Sequence, residues 1–308
     1  MCTGLSLNNY FGRNFDYEIS YNEQVAISPR NYEFQFKNID SIKTHNAIIG
    51  IAVGGMDYPL YYDAYNEKGL GMAGLNFPDY AEYSSEIVDG KVNLAEFELI
   101  PYVLSNAENV SEAKKLFDNI NITDQSFSKE FPISSLHWMV ADKSGASFTV
   151  ESTADGIKIT DNPVGVLTNS PTFDLQIFNL KNYIKLSNKN PEDTFLDCGE
   201  YSRGMGGMGL PGDFSSMSRF VKTVFVKNYS KGFISLSQFF HILNSVAQPR
   251  GSTEVEEGKY EYTIYSSCMD FDKKIFHYKT YDEISINSVD FNNYISSDKD
   301  NIIYIQFE

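Results

Sequence analysis

Cysteine is scarce in this chain: among 308 residues there are three, Cys2, Cys198 and Cys268. An odd and sparse set excludes a disulfide scaffold and fits a reducing compartment, so a cytoplasmic location is expected. Cys198 and Cys268 read as inert packing thiols. Basic residues are also few: 25 Lys and Arg stand against 41 Asp and Glu, a formal net charge of −16. That balance disfavours nucleic acid and anionic membrane surfaces as partners, and an anionic small molecule would need a local cation. No apolar run approaches the roughly 20 residues needed to cross a bilayer. The first residues lack a basic segment followed by an apolar one, so no secretory signal is expected. The histidines, His45, His137, His241 and His277, lack metal-ligand spacing, and neither a metal nor another cofactor is expected. His137, beside Trp138 in a strand pattern, reads as packed rather than catalytic.

What is present begins with Cys2, directly behind Met1. Removal of Met1 would leave a cysteine carrying both a thiol and a free α-amine, which titrate near about 8.5 and about 7.7–8.0 when unperturbed. Such a residue holds its own nucleophile and its own proton acceptor. The alternative is an ordinary buried thiol near a chain end. Leu5-Ser6-Leu7 and Tyr10-Phe11 flank Asn8-Asn9, which suits a two-residue type I′ hairpin turn because Asn tolerates positive φ. That turn sets Leu7 opposite Tyr10, Gly4 opposite Arg13 and Cys2 opposite Phe15. Cys2 and Arg13 then share a face, where the guanidinium would favour a thiolate. Asp16, expected just past the paired stretch, is placed to hold the α-amine and to partner Arg13.

Further along, 24–29, 47–53, 58–65 and 70–77 read as strands, the second nearly all apolar and so buried. Residues 94–105 have helical spacing with Pro101 marking a kink or boundary, and Ser111 begins a capped helix. Strands are expected at 136–141, 147–153 and 156–160, helix at 172–184, and a long Gly- and Pro-rich loop at 191–214. Helices follow at 216–229 and 236–247, then strands at 260–268, 274–280 and 284–289. With no long linker, repeat or low-complexity block, 1–308 reads as one domain, although the length alone would allow two. The order suits an α+β fold with two sheets and helices outside.

Several strings together resemble one family: Met1-Cys2-Thr3, Phe11-Gly12-Arg13-Asn14-Phe15-Asp16, Asn66-Glu67-Lys68-Gly69-Leu70-Gly71, Ala73-Gly74-Leu75-Asn76-Phe77, Leu136-His137-Trp138, Leu167-Thr168-Asn169-Ser170-Pro171 and Ser218-Arg219-Phe220. They look like the choloylglycine hydrolases, a family that contains bile salt hydrolases and penicillin V acylases, and the likeness runs from Cys2 to about Asp290. The resemblance implies an αββα four-layer sandwich of the N-terminal nucleophile hydrolase type. It implies removal of Met1, a catalytic set of Cys2, Arg13, Asp16, Asn76, Asn169 and Arg219, no cofactor, and a homo-oligomer, expected to be a tetramer. Within that set Asn169 and the backbone N–H of Asn76 would hold the oxyanion. Asn at 76 favours a conjugated bile acid as the small-molecule substrate over phenoxyacetyl-penicillin. A surplus of aromatics, 21 Tyr and 23 Phe, suits a pocket for a flat steroid or aryl group. Tyr201-Ser202-Arg203-Gly204 resembles a pattern linked to glycine conjugates, which would make Arg203 substrate-binding; it would equally serve a subunit contact. The rival readings are a penicillin V acylase and, if Met1 is retained, a non-catalytic binder of amphipathic anions. Gly204–Gly209 fits the dinucleotide glycine pattern literally, but it has no strand before it and Pro211 behind it, so it is set aside.

Overall fold

The computed structural model describes residues 1–194, 202–297 and 299–307. The chain opens on the hairpin β1 (Cys2–Leu7) and β2 (Tyr10–Tyr17), then runs through β3 (Glu23–Ser28), β4 (Ile48–Val53), β5 (Tyr61–Asn66), β6 (Leu70–Asn76) and β7 (Val92–Ala95). Helices α1 (Leu99–Asn106) and α2 (Val110–Leu116) follow, then β8 (Ile120–Thr123), β9 (Leu136–Asp142), β10 (Ser147–Thr153), β11 (Gly156–Asp161) and β12 (Val166–Leu167). The remainder is α3 (Phe173–Asn179), α4 (Ser216–Tyr229), α5 (Leu236–Asn244), β13 (Thr253–Glu256), β14 (Lys259–Asp270), β15 (Ile275–Thr280), β16 (Asn287–Asp290), α6 (Asn292–Ile295) and β17 (Ile303–Ile305).

Among the described residues two antiparallel sheets form the centre. One runs β12-β1-β2-β14-β15-β16, with β13 on β14; the other runs β11-β10-β9-β6-β5-β4-β3-β17. Helices α4 and α5 pack on the first sheet, and α1 and α2 on the second. The apolar core follows these layers. One cluster joins the first sheet to Phe220, Phe239 and Leu243 of its helices and to Leu75 and Met139 of the facing sheet. The other joins Met72, Trp138 and Val140 to Leu99, Val103 and Ala113. This is the expected α+β arrangement of helix, sheet, sheet and helix.

The hairpin register is the one read from the sequence: Leu7 pairs with Tyr10, Gly4 with Arg13 and Cys2 with Phe15. The turn itself differs. Asn8 takes a φ of 52°, but Asn9 is not in the positive-φ region. Asn9 is held from outside: its carbonyl accepts from Phe271 N–H at 3.0 Å, and its Nδ2 donates to Asp270 at 3.2 Å. The register survives because loop length, rather than turn type, sets which residues face each other.

Three local expectations are corrected. Residues 94–95, expected in the helix, belong instead to β7, which pairs in parallel with β8. Pro101 therefore falls in the first turn of α1, where it neither kinks nor ends the helix. The cap of α2 is Asn109 rather than Ser111: its side chain accepts from Glu112 N–H at 3.0 Å, and Glu112 accepts in return from Glu108 N–H at 2.9 Å. Asp16 lies inside β2, not past it. The sequence also hid β12 and β17, short strands that pair only with the remote β1 and β3, and the short β13, which forms a local hairpin with β14. Cys198 and Tyr201 lie outside the described residues.

Candidate active site

Cys2 is the first residue of β1 and is 3% exposed. Its face of the hairpin looks toward the second sheet: a Cβ on Gly4 would meet Met139 Sδ at 3.3 Å and Leu75 Cδ1 at 3.9 Å. Arg13 and Phe15 share that face by register. Cys2, Arg13, Asp16 and Asn76 all border one cavity of about 380 Å³ whose other walls are largely aromatic and aliphatic, including Phe15, Tyr62, Phe97, Ile100, Phe131 and Leu136. That size and lining suit a small organic ligand.

Arg13 is fully buried. It donates to the carbonyls of Tyr62 (3.1 Å) and Gly74, and its guanidinium sits 5.1 Å from the centre of the Phe15 ring. Its Nη2 is buried and has no hydrogen-bond partner among the described residues. Burial works against its charge, but Cys2, Tyr265, Asp63 and Asp16 together outweigh that and raise its pKa above the ordinary arginine value. Asp63, which the sequence reading missed, acts on Arg13 through space without forming an ion pair with it among the described residues, and burial raises its own pKa. It is buried and accepts from Tyr265 Oη (2.6 Å), Tyr65 Oη (2.9 Å) and Ser267 Oγ (2.9 Å). A lone Asp within an apolar-aromatic strand, Tyr61-Tyr62-Asp63-Ala64-Tyr65, was the available signal. Asp63→Ala would strand three buried hydroxyls and remove a nearby carboxylate from the buried Arg13. We expect a loss of about 3–5 kcal/mol in chemical denaturation.

Contrary to the expectation from sequence, Asp16 does not partner Arg13. Its carboxylate accepts from Thr263 Oγ1 (2.6 Å) and Gln248 Nε2 (3.2 Å), and the nearer arginine is Arg219, 3.9 Å away. The physical reason is strand alternation: Asp16 and Arg13 are an odd number of residues apart, so their side chains leave β2 on opposite faces. With Met1 attached, the nitrogen of Cys2 is a peptide N–H and donates to Asn169 Oδ1 at 2.8 Å rather than to the Asp16 carboxylate. Asp16 instead holds Met1 through its backbone: Met1 N donates to Asp16 O at 2.6 Å, and Asp16 N to Met1 O at 2.9 Å. The Met1 ammonium also pairs with buried Glu261. Burial pulls its pKa below the ordinary value.

Asn169 and Arg219 stand behind Cys2 and are not among the residues bordering the cavity. Arg219 Nη1 donates to the carbonyl of Cys2 and to Thr3 Oγ1 (2.7 Å), Nη2 to Asn169 Oδ1 (2.7 Å), and Nε to Phe214 O (2.9 Å). It is a buried residue of α4, whose N-cap is Ser215. Asn169 Nδ2 donates to Asn76 O at 2.6 Å, and its backbone N–H to Ser216 Oγ at 2.9 Å. Oδ1 of Asn169 therefore bridges Cys2 and Arg219, while Nδ2 keeps a second N–H. His137 is packed as expected: it stacks on Phe77 at 4.2 Å, and its Nε2 lies 2.9 Å from Thr168 O. Arg203 is exposed and does not border the cavity. Cys268 is buried and free, and burial raises its thiol pKa well above the usual value.

Glu96, also missed by sequence reasoning, borders the same cavity. Burial pushes its carboxyl up to about 7 from 4.5. A carboxyl with a raised folded pKa contributes stability that is complete below about 4.5 and is lost as pH rises through about 7. Glu96→Gln imitates the protonated form. The melting temperature of this variant should exceed that of the unaltered protein at pH 8 and approach it at pH 5, a difference on the order of 3 kcal/mol at most. Comparing the two proteins at each pH cancels the contribution of His277, whose pKa burial lowers to about 4. A gap that does not widen with pH would refute it.

A second-position cysteine on a hairpin between two facing antiparallel sheets, with an arginine and an asparagine around it, defines an N-terminal nucleophile hydrolase. The chain belongs to the choloylglycine hydrolase family of linear amide C–N hydrolases, whose family model matches residues 2–304, and it is an amidase. It is 55% identical over 302 residues to the bile salt hydrolase/transferase of Lactiplantibacillus plantarum, covering 95% of this chain and 93% of that one. It is 43% identical to the bile salt hydrolase/transferase of Clostridium perfringens, with the same coverage. A crystal structure of a variant of the conjugated bile acid hydrolase from Clostridium perfringens superposes with a TM-score of 0.94 at 40% identity, covering 100% of this chain and 97% of that one. A penicillin V acylase from Agrobacterium tumefaciens shares the fold, with a TM-score of 0.78 at 20% identity over 99% of this chain and 91% of that one.

Proposed function

We propose that this chain hydrolyses the amide bond of glycine- or taurine-conjugated bile acids, using Cys2 as nucleophile once Met1 has been removed. The observation that carries this is the position of Cys2 on the wall of a large apolar cavity, in a chain whose high-identity relatives are named for that reaction. The freed α-amine of Cys2 takes the thiol proton, and sulfur attacks the amide carbon. The second N–H of Asn169 Nδ2 and the backbone N–H of Asn76 receive the oxyanion. The amine returns the proton to the leaving nitrogen, and glycine or taurine departs. Water, deprotonated by the same amine, then cleaves the thioester and releases the bile acid.

Arg13 borders the cavity beside the sulfur and supplies the local cation that a chain of net charge −16 must provide for an anionic substrate. Arg219 positions Cys2 through its carbonyl, and Asp16 holds Arg219 and the segment on which the amine sits.

Steady-state release of glycine or taurine from conjugates, compared with release of 6-aminopenicillanic acid from penicillin V, tests the substrate class. A larger kcat/KM on penicillin V would overturn the reading. By the same resemblance the chain assembles as a homotetramer, with the exposed loop carrying Arg203 at the subunit contact. A monomeric mass in light scattering would refute that. The cytoplasm is the compartment that suits an unpaired catalytic thiol. Among the described residues no helix is long and apolar enough to cross a membrane.

A further inference from the structure

The two oxyanion donors proposed above stand on different sheets: Asn76 ends β6 in one, and Asn169 follows β12 in the other. Their separation is thus a sheet-to-sheet distance, and a catalytic pair of donors must be held to within about 0.5 Å by the residues around it. Several polar bridges cross the gap at this point. Asn169 Nδ2 donates to Asn76 O at 2.6 Å, but that bridge is made by the donor residues themselves. Ser170 Oγ donates to Pro78 O at 2.7 Å in an exposed position, where water competes for both groups. A buried bridge comes from a residue that the reaction does not use. His137 of β9 is 0% exposed, and its Nε2 lies 2.9 Å from the carbonyl of Thr168, the residue before Asn169. A carbonyl only accepts, so Nε2 carries the proton.

The same ring also contacts the segment that carries the other donor. His137 pairs with Leu75 across the β6–β9 ladder, which makes Phe77 its diagonal neighbour on one face of the sheet. The two rings stack at 4.2 Å with an angle of 7° between their planes. Phe77 is the residue after Asn76. The remaining ring nitrogen, Nδ1, faces Glu151 Oε1 at 3.4 Å, and that oxygen accepts from Phe173 N–H at 2.8 Å at the start of α3. The stack and the groups at both nitrogens hold the imidazole in one orientation. We infer that His137 is a positioning residue for the oxyanion site, a spacer that fixes the residue before Asn169 against the residue after Asn76. It does not border the cavity, so it acts through the two asparagines and not on the substrate. This rests on the amide-hydrolysis reading and deepens it.

The test measures kcat and KM on the glycine conjugate of cholic acid. His137→Phe keeps a stacked ring and removes the N–H; kcat should fall about 10-fold or more while KM changes less than about 2-fold. His137→Gln, whose amide nitrogen reaches the position of Nε2, should recover most of kcat. The decisive comparison repeats His137→Phe in the Asn169→Ala background. If His137 acts through Asn169, the substitution there costs less than about 2-fold more. A merely structural role would lower kcat by the same factor in both backgrounds, because it reduces the amount of folded enzyme; that result overturns the inference. His137→Asn, whose amide reaches only the position of Nδ1, reads the same comparison if His137→Phe does not fold. A glutamine variant as slow as the phenylalanine one, an unchanged kcat, or an effect confined to KM would each overturn it too, while leaving the substrate class intact. Failure of the unaltered enzyme to hydrolyse the conjugate would instead refute the function proposed above.

Discussion

Cys2→Ala removes turnover on every conjugate, by on the order of 10⁴-fold or more, and leaves the fold in place. The first half follows from the chemistry: no other thiol among the described residues borders the cavity, and Cys268, buried on β14, is not one of its lining residues. Asn76, Asn169 and Arg219 can hold or position, but none of them can form the thioester. The second half follows from the packing. The substitution deletes one atom from a strand whose register is held by six pairs to β2. It leaves untouched the contacts that Arg219 and Asn169 make to the Cys2 backbone. Circular dichroism and melting temperature should match the unaltered protein, while product release in chromatography falls to background. Retained activity would remove the nucleophile from the mechanism.

Asn169→Ala should lower kcat by on the order of 10²–10³ with a much smaller change in KM. An oxyanion donor acts on charge that exists only in the tetrahedral intermediate, so ground-state binding has little to lose. The structure adds a complication that a second variant resolves. Asn169 also accepts from Cys2 and Arg219 through Oδ1, so alanine loosens the nucleophile as well. Asn169→Asp keeps that acceptor and removes the N–H donors. Both variants should lose kcat if the donor is what matters; an effect confined to KM would refute the oxyanion role. Recovery of kcat in the Asp variant would move the role of Asn169 from the oxyanion to positioning Cys2.

Much of this site was legible before any coordinates. A two-residue loop between Leu7 and Tyr10 determined that Cys2, Arg13 and Phe15 share a face, because side-chain alternation propagates from the turn without help from the rest of the fold. The same alternation should have put Asp16 on the other face. Placing it beyond the strand, where parity no longer applies, concealed that. The strings around Asn76, Asn169 and Arg219 marked these residues through resemblance, and the structure joins them to Cys2 in one hydrogen-bonded group, of which only Asn76 and Cys2 border the cavity.

The amino-acid sequence alone thus determined the family, the candidate nucleophile and the local register of the hairpin. These depend on a motif string or on residues within one turn of each other. Only the tertiary structure decided that Arg219 grips the Cys2 carbonyl from 217 residues away, that Asp63 is buried among the hydroxyls of Tyr65, Tyr265 and Ser267, and that Glu96 borders the same cavity as Cys2. Such pairings join residues remote in the chain. Nothing in local propensity specifies them, because burial against the opposite sheet, rather than spacing, brings the groups together.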